Sequence, residues 1–144
     1  MNLKKGLMNK VNEVGKVAVY NIMKVIPEGD YDLEIIYIDA GNTKNGSGYR
    51  VIVTFQVLNK EYQGTIIQTT FSLENPDKRV EWISRVLFYK MSISVGIKED
   101  QFNDNFDTDL LVSKAVKAHV VVEPAKGEYP KRNRVSEFII CKVE

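Results

Sequence analysis

The fold is decided by one stretch, residues 27–73, with the sequence PEGDYDLEIIYIDAGNTKNGSGYRVIVTFQVLNKEYQGTIIQTTFSL. Apolar and polar residues alternate in two parts of it, residues 31–37 and residues 49–57. A period of two is typical of strands that bury one face in a core. A third strand is predicted over residues 65–73, and the short turn before it favours antiparallel pairing with the second strand. The stretch therefore predicts a three-stranded meander.

The same alternation assigns side chains to the two faces of the predicted sheet, because successive residues of a strand point in opposite directions. Residues of one parity, which we expect to face the core, are Tyr31, Leu33, Ile35 and Tyr37 in strand one and Tyr49, Val51, Val53, Phe55 and Val57 in strand two. The outward face should then carry Arg50, Ile52, Thr54, Gln56, Gln68 and Thr70, a polar surface without an aromatic ring.

A helix and two further strands are predicted after the meander. Asn75-Pro76-Asp77 is a helix start, with Asn75 as the cap, and the helix should run from about Pro76 to Val95. Its apolar stripe is predicted as Val80, Ile83, Leu87 and Met91, widened by Trp82, Val86 and Phe88. Trp82 is expected in the core or at its rim. Strand four is predicted around residues 116–122 and strand five over residues 135–142, after an acidic loop at 98–109.

Composition describes an ordinary globular chain of 144 residues with a net charge of +1. A near-neutral chain can contact nucleic acid only through local clusters of lysine and arginine. No apolar run approaches the roughly 20 residues of a membrane span. The N-terminus has no continuous apolar segment of the kind that secretion signals contain, so we expect a cytoplasmic protein without membrane contact.

The densest cationic cluster lies in residues 124–134, PAKGEYPKRNR, between strands four and five. Four basic residues surround Tyr129 there, in a loop that contains glycine and proline. The other distinctive loop, residues 41–48, is rich in glycine and asparagine, which both tolerate positive φ. This loop lacks the spacing of a phosphate-binding P-loop.

Signs of catalysis are missing from the sequence. It contains neither a nucleophile paired with a base nor a set of metal ligands, and the acidic loop does not have the spacing of an EF-hand. His119 is the only histidine and is expected on the surface of strand four. We therefore predict that the chain is not an enzyme and holds no metal or cofactor.

The predicted element order is three strands, a helix and two strands. This is the order of an OB-fold, a five-stranded Greek-key barrel with its helix between strands three and four. We therefore predict a mainly β protein with an OB-fold domain at residues 27–144. Residues 1–26 are predicted to form an N-terminal arm, either helical or mobile.

Short motifs spread over residues 27–140 carry a resemblance to a known family. The chain resembles phage-encoded proteins, long catalogued as a domain of unknown function, that look like single-stranded DNA-binding proteins with an OB-fold. The motifs are PEGDY at 27–31, TKNGSG at 43–48, FQVL at 55–58, YQG at 62–64, LENP at 73–76 and YPKRN at 129–133.

The resemblance implies that the chain binds single-stranded DNA without sequence preference and protects or organises it in phage replication or recombination, inside an infected bacterial host. OB-folds bind oligonucleotides on strands two and three, between the loops that join strands one to two and four to five. Stacking rings would have to come from edges and loops, with Tyr37 as a further candidate. The predicted nucleic-acid-binding residues are Lys44, Tyr49, Arg50, Lys60, Tyr62, Lys126, Tyr129, Lys131, Arg132 and Arg134.

A second class of function stays open on the sequence. Near-zero net charge and the acidic loop also fit a non-catalytic protein-interaction or virion structural module built on an OB-like barrel. Phage replication or recombination proteins are further candidate partners, and a homodimer is kept open.

Overall fold

The computed structural model describes residues 24–140, and most of the predicted N-terminal arm, residues 1–23, lies outside this range together with residues 141–144. The described part is mainly β, with five strands and one α-helix. Its helices are all too short or too polar to cross a membrane. The elements are β1 Gly29–Asn42, β2 Tyr49–Val57, β3 Ile66–Glu74, α1 Lys78–Ser94, β4 Ala115–Glu123 and β5 Arg132–Ile139.

The five strands form one sheet in the order β3-β2-β1-β4-β5, and all four neighbouring pairs are antiparallel. The long strand β1 pairs with β4 through its first half and with β2 through its second half. The predicted meander, the position of the helix and the mainly β class are therefore confirmed.

The two edges of the sheet, β3 and β5, approach each other without forming a ladder in the described residues. The Val135 amide donates a hydrogen bond to Thr69 Oγ1 at 3.1 Å, so a side chain connects the two edges. The sheet is curled but open, and its closure into a barrel stays a prediction.

A β-bulge in β1 reverses one predicted side-chain direction. Ile35 is paired with Phe55 and Tyr37 with Thr54, so Ile36 is an extra residue between the two pairs. Such an insertion turns the following side chains by one position. Ile35 is fully buried, whereas Tyr37 is 61% exposed, so the prediction that Tyr37 faces the core is wrong.

The core lies on the concave side of the sheet and is closed by α1. Phe71 contacts two rings, Phe88 of α1 and Phe138 of β5, with centroid distances of 5.6 and 6.3 Å. Phe55 of β2 lies 6.2 Å from Phe138. These rings therefore connect the helix and three strands, including both edges of the sheet.

The buried face of the helix overlaps the predicted apolar surface in part, since Phe88 is buried and Leu87 packs against the core. Met91 is buried as expected, but Val80 and Ile83 are exposed, and so is Trp82 at 68%. Asp77 is the N-cap in place of Asn75, because its Oδ1 accepts from the backbone amide of Arg79 at 3.0 Å. The buried residues of α1 are Ser84, Phe88, Met91 and Ser92.

Candidate nucleic-acid interface

The outer face of β1, β2 and β3 presents rows of side chains across the three strands. Tyr37, Thr54 and Gln68 form one row, in which Gln68 Nε2 donates to Thr54 Oγ1 at 3.2 Å. Side chains directly opposite one another on neighbouring strands lie close enough to act together. Tyr37 therefore places an exposed ring on a face for which the sequence predicted none. The next rows are Asp39, Ile52 and Thr70, and Gly41, Arg50 and Ser72.

The loop between β1 and β2 is tied by its own hydrogen bonds. The Thr43 amide donates to the carbonyl of Gly48 at 3.0 Å, and Asn45 Oδ1 accepts from the Ser47 amide at 3.1 Å. A Cβ at Gly48 would collide with the carbonyl oxygen of Glu74, so only glycine fits there. The loop thus holds the exposed side chain of Lys44 near the end of the sheet where the exposed Arg50 begins its row.

Two other predicted rings lie in less open surroundings. Tyr49 is half-buried and lines a cavity with Phe102, on the opposite side of β2 from Arg50. Tyr62 packs edge-on against Tyr31, with ring centroids 5.9 Å apart. Burial raises the pKa of the Tyr62 hydroxyl. Lys60 and Tyr62 belong to a short 3₁₀ turn after β2, at the far end of that strand from Arg50.

The β4–β5 hairpin, residues 124–131, presents the most exposed of the candidate rings. Lys126 and Tyr129 exchange two backbone hydrogen bonds of 2.9 Å, and Gly127 turns the chain between them with φ of +58°. A pair bonded in this way shares one face of a hairpin, so the Lys126 side chain accompanies the ring. Tyr129 is 76% exposed.

A shallow groove of about 460 Å³ runs beside this ring. Its lining combines a ring, two cations and two prolines, so a flat apolar group could lie there with an anion close to it. The lining residues are Glu123, Pro124, Ala125, Lys126, Tyr129, Pro130 and Arg132.

The four predicted cations of this region fall into two kinds. Arg132 Nε lies 2.9 Å from one carboxylate oxygen of Glu123, and Arg134 Nε bonds the other oxygen. Burial raises the pKa of Glu123, but the hydrogen bonds from both arginines outweigh it and leave the pKa below its usual range. Lys126 and Lys131 have no ion pair within residues 24–140, so their charges are available to a ligand.

Another part of the sheet surface, on the first half of β1 and on β4, carries carboxylates around His119. His119 Nδ1 lies 2.7 Å from Asp30, and its Nε2 lies 3.6 Å from Glu28. The hydrogen bond with Asp30 raises the pKa of His119. No group of three metal-ligating side chains occurs within residues 24–140. Glu28 and Asp30 would repel a phosphate backbone from the surroundings of His119.

A comparison with models of protein families gives a match. A family model described as "Protein of unknown function (DUF669)" matches residues 12–136, which is most of the chain. No curated protein matches the sequence.

Proposed function

The chain belongs to the DUF669 family, proteins of unknown function, and we propose that it binds single-stranded DNA without strong sequence preference. The observation that carries the proposal is the β4–β5 hairpin, where Tyr129 is 76% exposed and Lys126 and Lys131 have no ion pair within residues 24–140. Nonspecific strand binding combines such rings, which stack on bases, with cations that contact phosphates. By its resemblance to phage proteins, the chain would protect or organise DNA strands in phage replication or recombination.

The curled sheet would act as an OB-type barrel in this function. The strand order β3-β2-β1-β4-β5, the helix between β3 and β4 and the contact between Val135 and Thr69 support this architecture. OB-folds bind strands on β2 and β3, flanked by the β1–β2 and β4–β5 loops. In this chain those elements carry Lys44 and Arg50 on one side and the hairpin on the other.

Each part of the surface has a separate task in the proposed complex. Tyr129 stacks on one base while Lys126 and Lys131 contact neighbouring phosphates. Tyr37 offers a second ring on the sheet, where the polar side chains of Arg50 and Gln68 can bond the sugar-phosphate backbone. A duplex hides its base faces, so the rings contribute only to single strands.

Titration of fluorescently labelled oligo-dT with the full chain, at several salt concentrations, tests the proposal. We expect oligo-dT to bind more tightly than a duplex of equal length, and its affinity to fall steeply with salt because bound phosphates release counterions. Oligo-dA and oligo-dC should bind within a few-fold of oligo-dT. Equal affinity for single strand and duplex at matched salt would contradict the proposal.

That the chain catalyses nothing stays a prediction. Incubation of the same oligonucleotides with the protein and Mg²⁺ should leave them intact. A cleavage activity that survives purification and disappears with one point substitution would overturn it.

A further inference from the structure

A second cavity lies away from the hairpin, between α1, the segment 97–112 and the adjoining ends of β2 and β3. Its volume is about 670 Å³, within the range of roughly 300–1,000 Å³ that is usual for ligand pockets. We call it the aromatic pocket, because five of its lining residues carry rings: Tyr49, Phe88, Tyr89, Phe102 and Phe106.

These rings are fixed by one another. Phe102 and Phe106 stack in parallel, with centroids 5.3 Å apart and planes inclined by 6°. Tyr89 lies 5.1 Å from Phe102, and Phe88 meets Phe106 edge-on at 6.1 Å. Because Phe88 also packs on Phe71 of the core, the wall of the pocket is anchored to the sheet. A ligand would therefore meet rings that are already in place.

The charge around the pocket is negative. Glu74 and Asp104 belong to its lining, and neither has an ion pair within residues 24–140. The one lining cation, Arg85, donates from its Nε to the Leu73 carbonyl at 2.7 Å, and its Nη2 lies 3.6 Å from Glu81, which also pairs with Lys78 at 3.4 Å. Residues 98–109 contribute five carboxylates against one lysine. This field repels phosphates and attracts cations.

We propose that the aromatic pocket binds an arginine side chain on an exposed segment of a partner protein. A guanidinium group is planar, weakly hydrated and able to stack on aromatic faces, and its N–H groups bond carboxylates. The rings would hold the plane and Asp104 or Glu74 would accept its hydrogen bonds. A nucleotide has a suitable flat base, but its phosphates would meet uncompensated carboxylates. The pocket thus serves a protein partner, whereas the hairpin serves DNA.

The test is an NMR titration of the full chain with the blocked tripeptide acetyl-Gly-Arg-Gly-amide. We expect saturable shifts in the ring resonances of Tyr49, Tyr89, Phe102 and Phe106, with little change at Tyr129. The same peptide with citrulline in place of arginine has the same shape without the charge, and it should bind several-fold more weakly. Equal binding of both peptides, or no saturable shift, would overturn the proposal.

Two variants in the same loop separate the pocket from the general acidic field. Asp104→Asn removes a lining carboxylate and should weaken the arginine peptide by about threefold to fivefold, the size of one partly exposed ion pair. Asp100→Asn removes the same charge outside the lining and should have a smaller effect. Equal losses of peptide affinity in the two variants would show that the acidic loop attracts the peptide nonspecifically, and would contradict a defined site in the pocket. Oligo-dT that shifts these rings in place of Tyr129 would show that the occupant is a base, and would also overturn the proposal.

Discussion

The β4–β5 hairpin and the aromatic pocket both present rings to solvent, but their charges are opposite. Tyr129 lines its groove with Lys126 and belongs to the same hairpin as Lys131, whereas the rings of the pocket are bordered by Glu74 and Asp104. A ring face accepts bases and cations alike. In the two proposals, the neighbouring charge therefore decides the ligand: an anionic strand at the hairpin and a cation at the pocket.

The two regions also differ in how their rings are held. The Tyr129 ring is 76% exposed, and its position comes from the backbone pair with Lys126. Phe102 and Phe106 are half-buried and pack against the core. Loss of the Tyr129 ring should hence leave the fold intact, while loss of a pocket ring removes core contacts. The hairpin can be tested by truncating its ring, and the pocket is better tested by neutralising its charges.

The largest expected effect is that of Tyr129→Ala. Loss of one stacked base should weaken oligo-dT binding by about 1–3 kcal/mol, which is roughly fivefold to 150-fold, while the slope of log affinity against log salt is nearly kept. Trp82→Ala is the matched control, because that ring is 68% exposed on α1 and outside both regions. Titrations in parallel should show a loss only for Tyr129→Ala. Similar losses of affinity in both variants would show that the Tyr129 ring has no special part in binding.

Removal of Lys126 and Lys131, which have no ion pair in the part of the chain that the structure describes, should change the salt dependence of binding. Lys126→Ala with Lys131→Ala removes two phosphate contacts, so the slope should fall by about 1.4 and the affinity by on the order of tenfold at about 0.15 M salt. The control is Lys114→Ala with Lys117→Ala. These two exposed lysines lie at the start of β4, whereas the hairpin follows the end of that strand. An unchanged slope in the hairpin variant would show that Lys126 and Lys131 do not contact phosphates.

The order of the strands and the helix position could be predicted from the sequence, because alternation and turn residues are local signals. The direction of Tyr37 could not, since a bulge depends on pairing with β2 and leaves no mark in the composition. The buried face of α1 was predicted only in part: Phe88 and Met91 are buried as expected, but two serines share that face. Ser84 and Ser92 lie on that face with Phe88, whereas the more apolar Val80 and Ile83 face solvent.

The candidate site was predictable in part for the same reason. The concentration of cations around Tyr129 is visible in the sequence. That Glu123 pairs with Arg132 and Arg134, and with neither lysine, depends on the strand register that places Glu123 opposite Arg132. The carboxylates of the acidic loop are all exposed. That Phe102 and Phe106 pack against each other and the core follows from tertiary contacts alone.

Tyr37→Ala should have a smaller effect on binding than Tyr129→Ala. The ring stands alone in a polar row, with Thr54 and Gln68 beside it and no lysine paired to it. We expect a loss near the lower end of the stacking range, about 1 kcal/mol or fivefold, with the salt slope unchanged. Tyr37→Phe keeps the ring and should bind like the parent. If Tyr37→Phe loses as much as Tyr37→Ala, the hydroxyl group and not the ring makes the contact.

The smallest effect should come from Glu123→Gln. This substitution changes the charge beside the hairpin, at the last residue of β4, and leaves the Tyr129 ring and both lysines in place. The carboxylate of Glu123 compensates Arg132 and Arg134, so its removal frees cationic charge at the base of the hairpin. Oligo-dT affinity should rise about threefold to fourfold at about 0.15 M salt, and the slope should steepen by roughly 0.7 for one added contact. Weaker binding would show that Glu123 is needed to position the arginines.

The same variant tests how the stability of the fold depends on pH, and the sign of that dependence follows from the lowered pKa of Glu123. A carboxylate with a lower pKa in the folded state stabilises the fold above its unfolded value, about 4.3, and loses that contribution as the pH falls through its folded value. The parent should therefore melt at a higher temperature than Glu123→Gln at pH 7, and the difference should shrink towards pH 3. Thermal melts of both proteins across this range decide the matter. A constant difference would show that the carboxylate acts through packing, and that the arginines are held by the hairpin backbone.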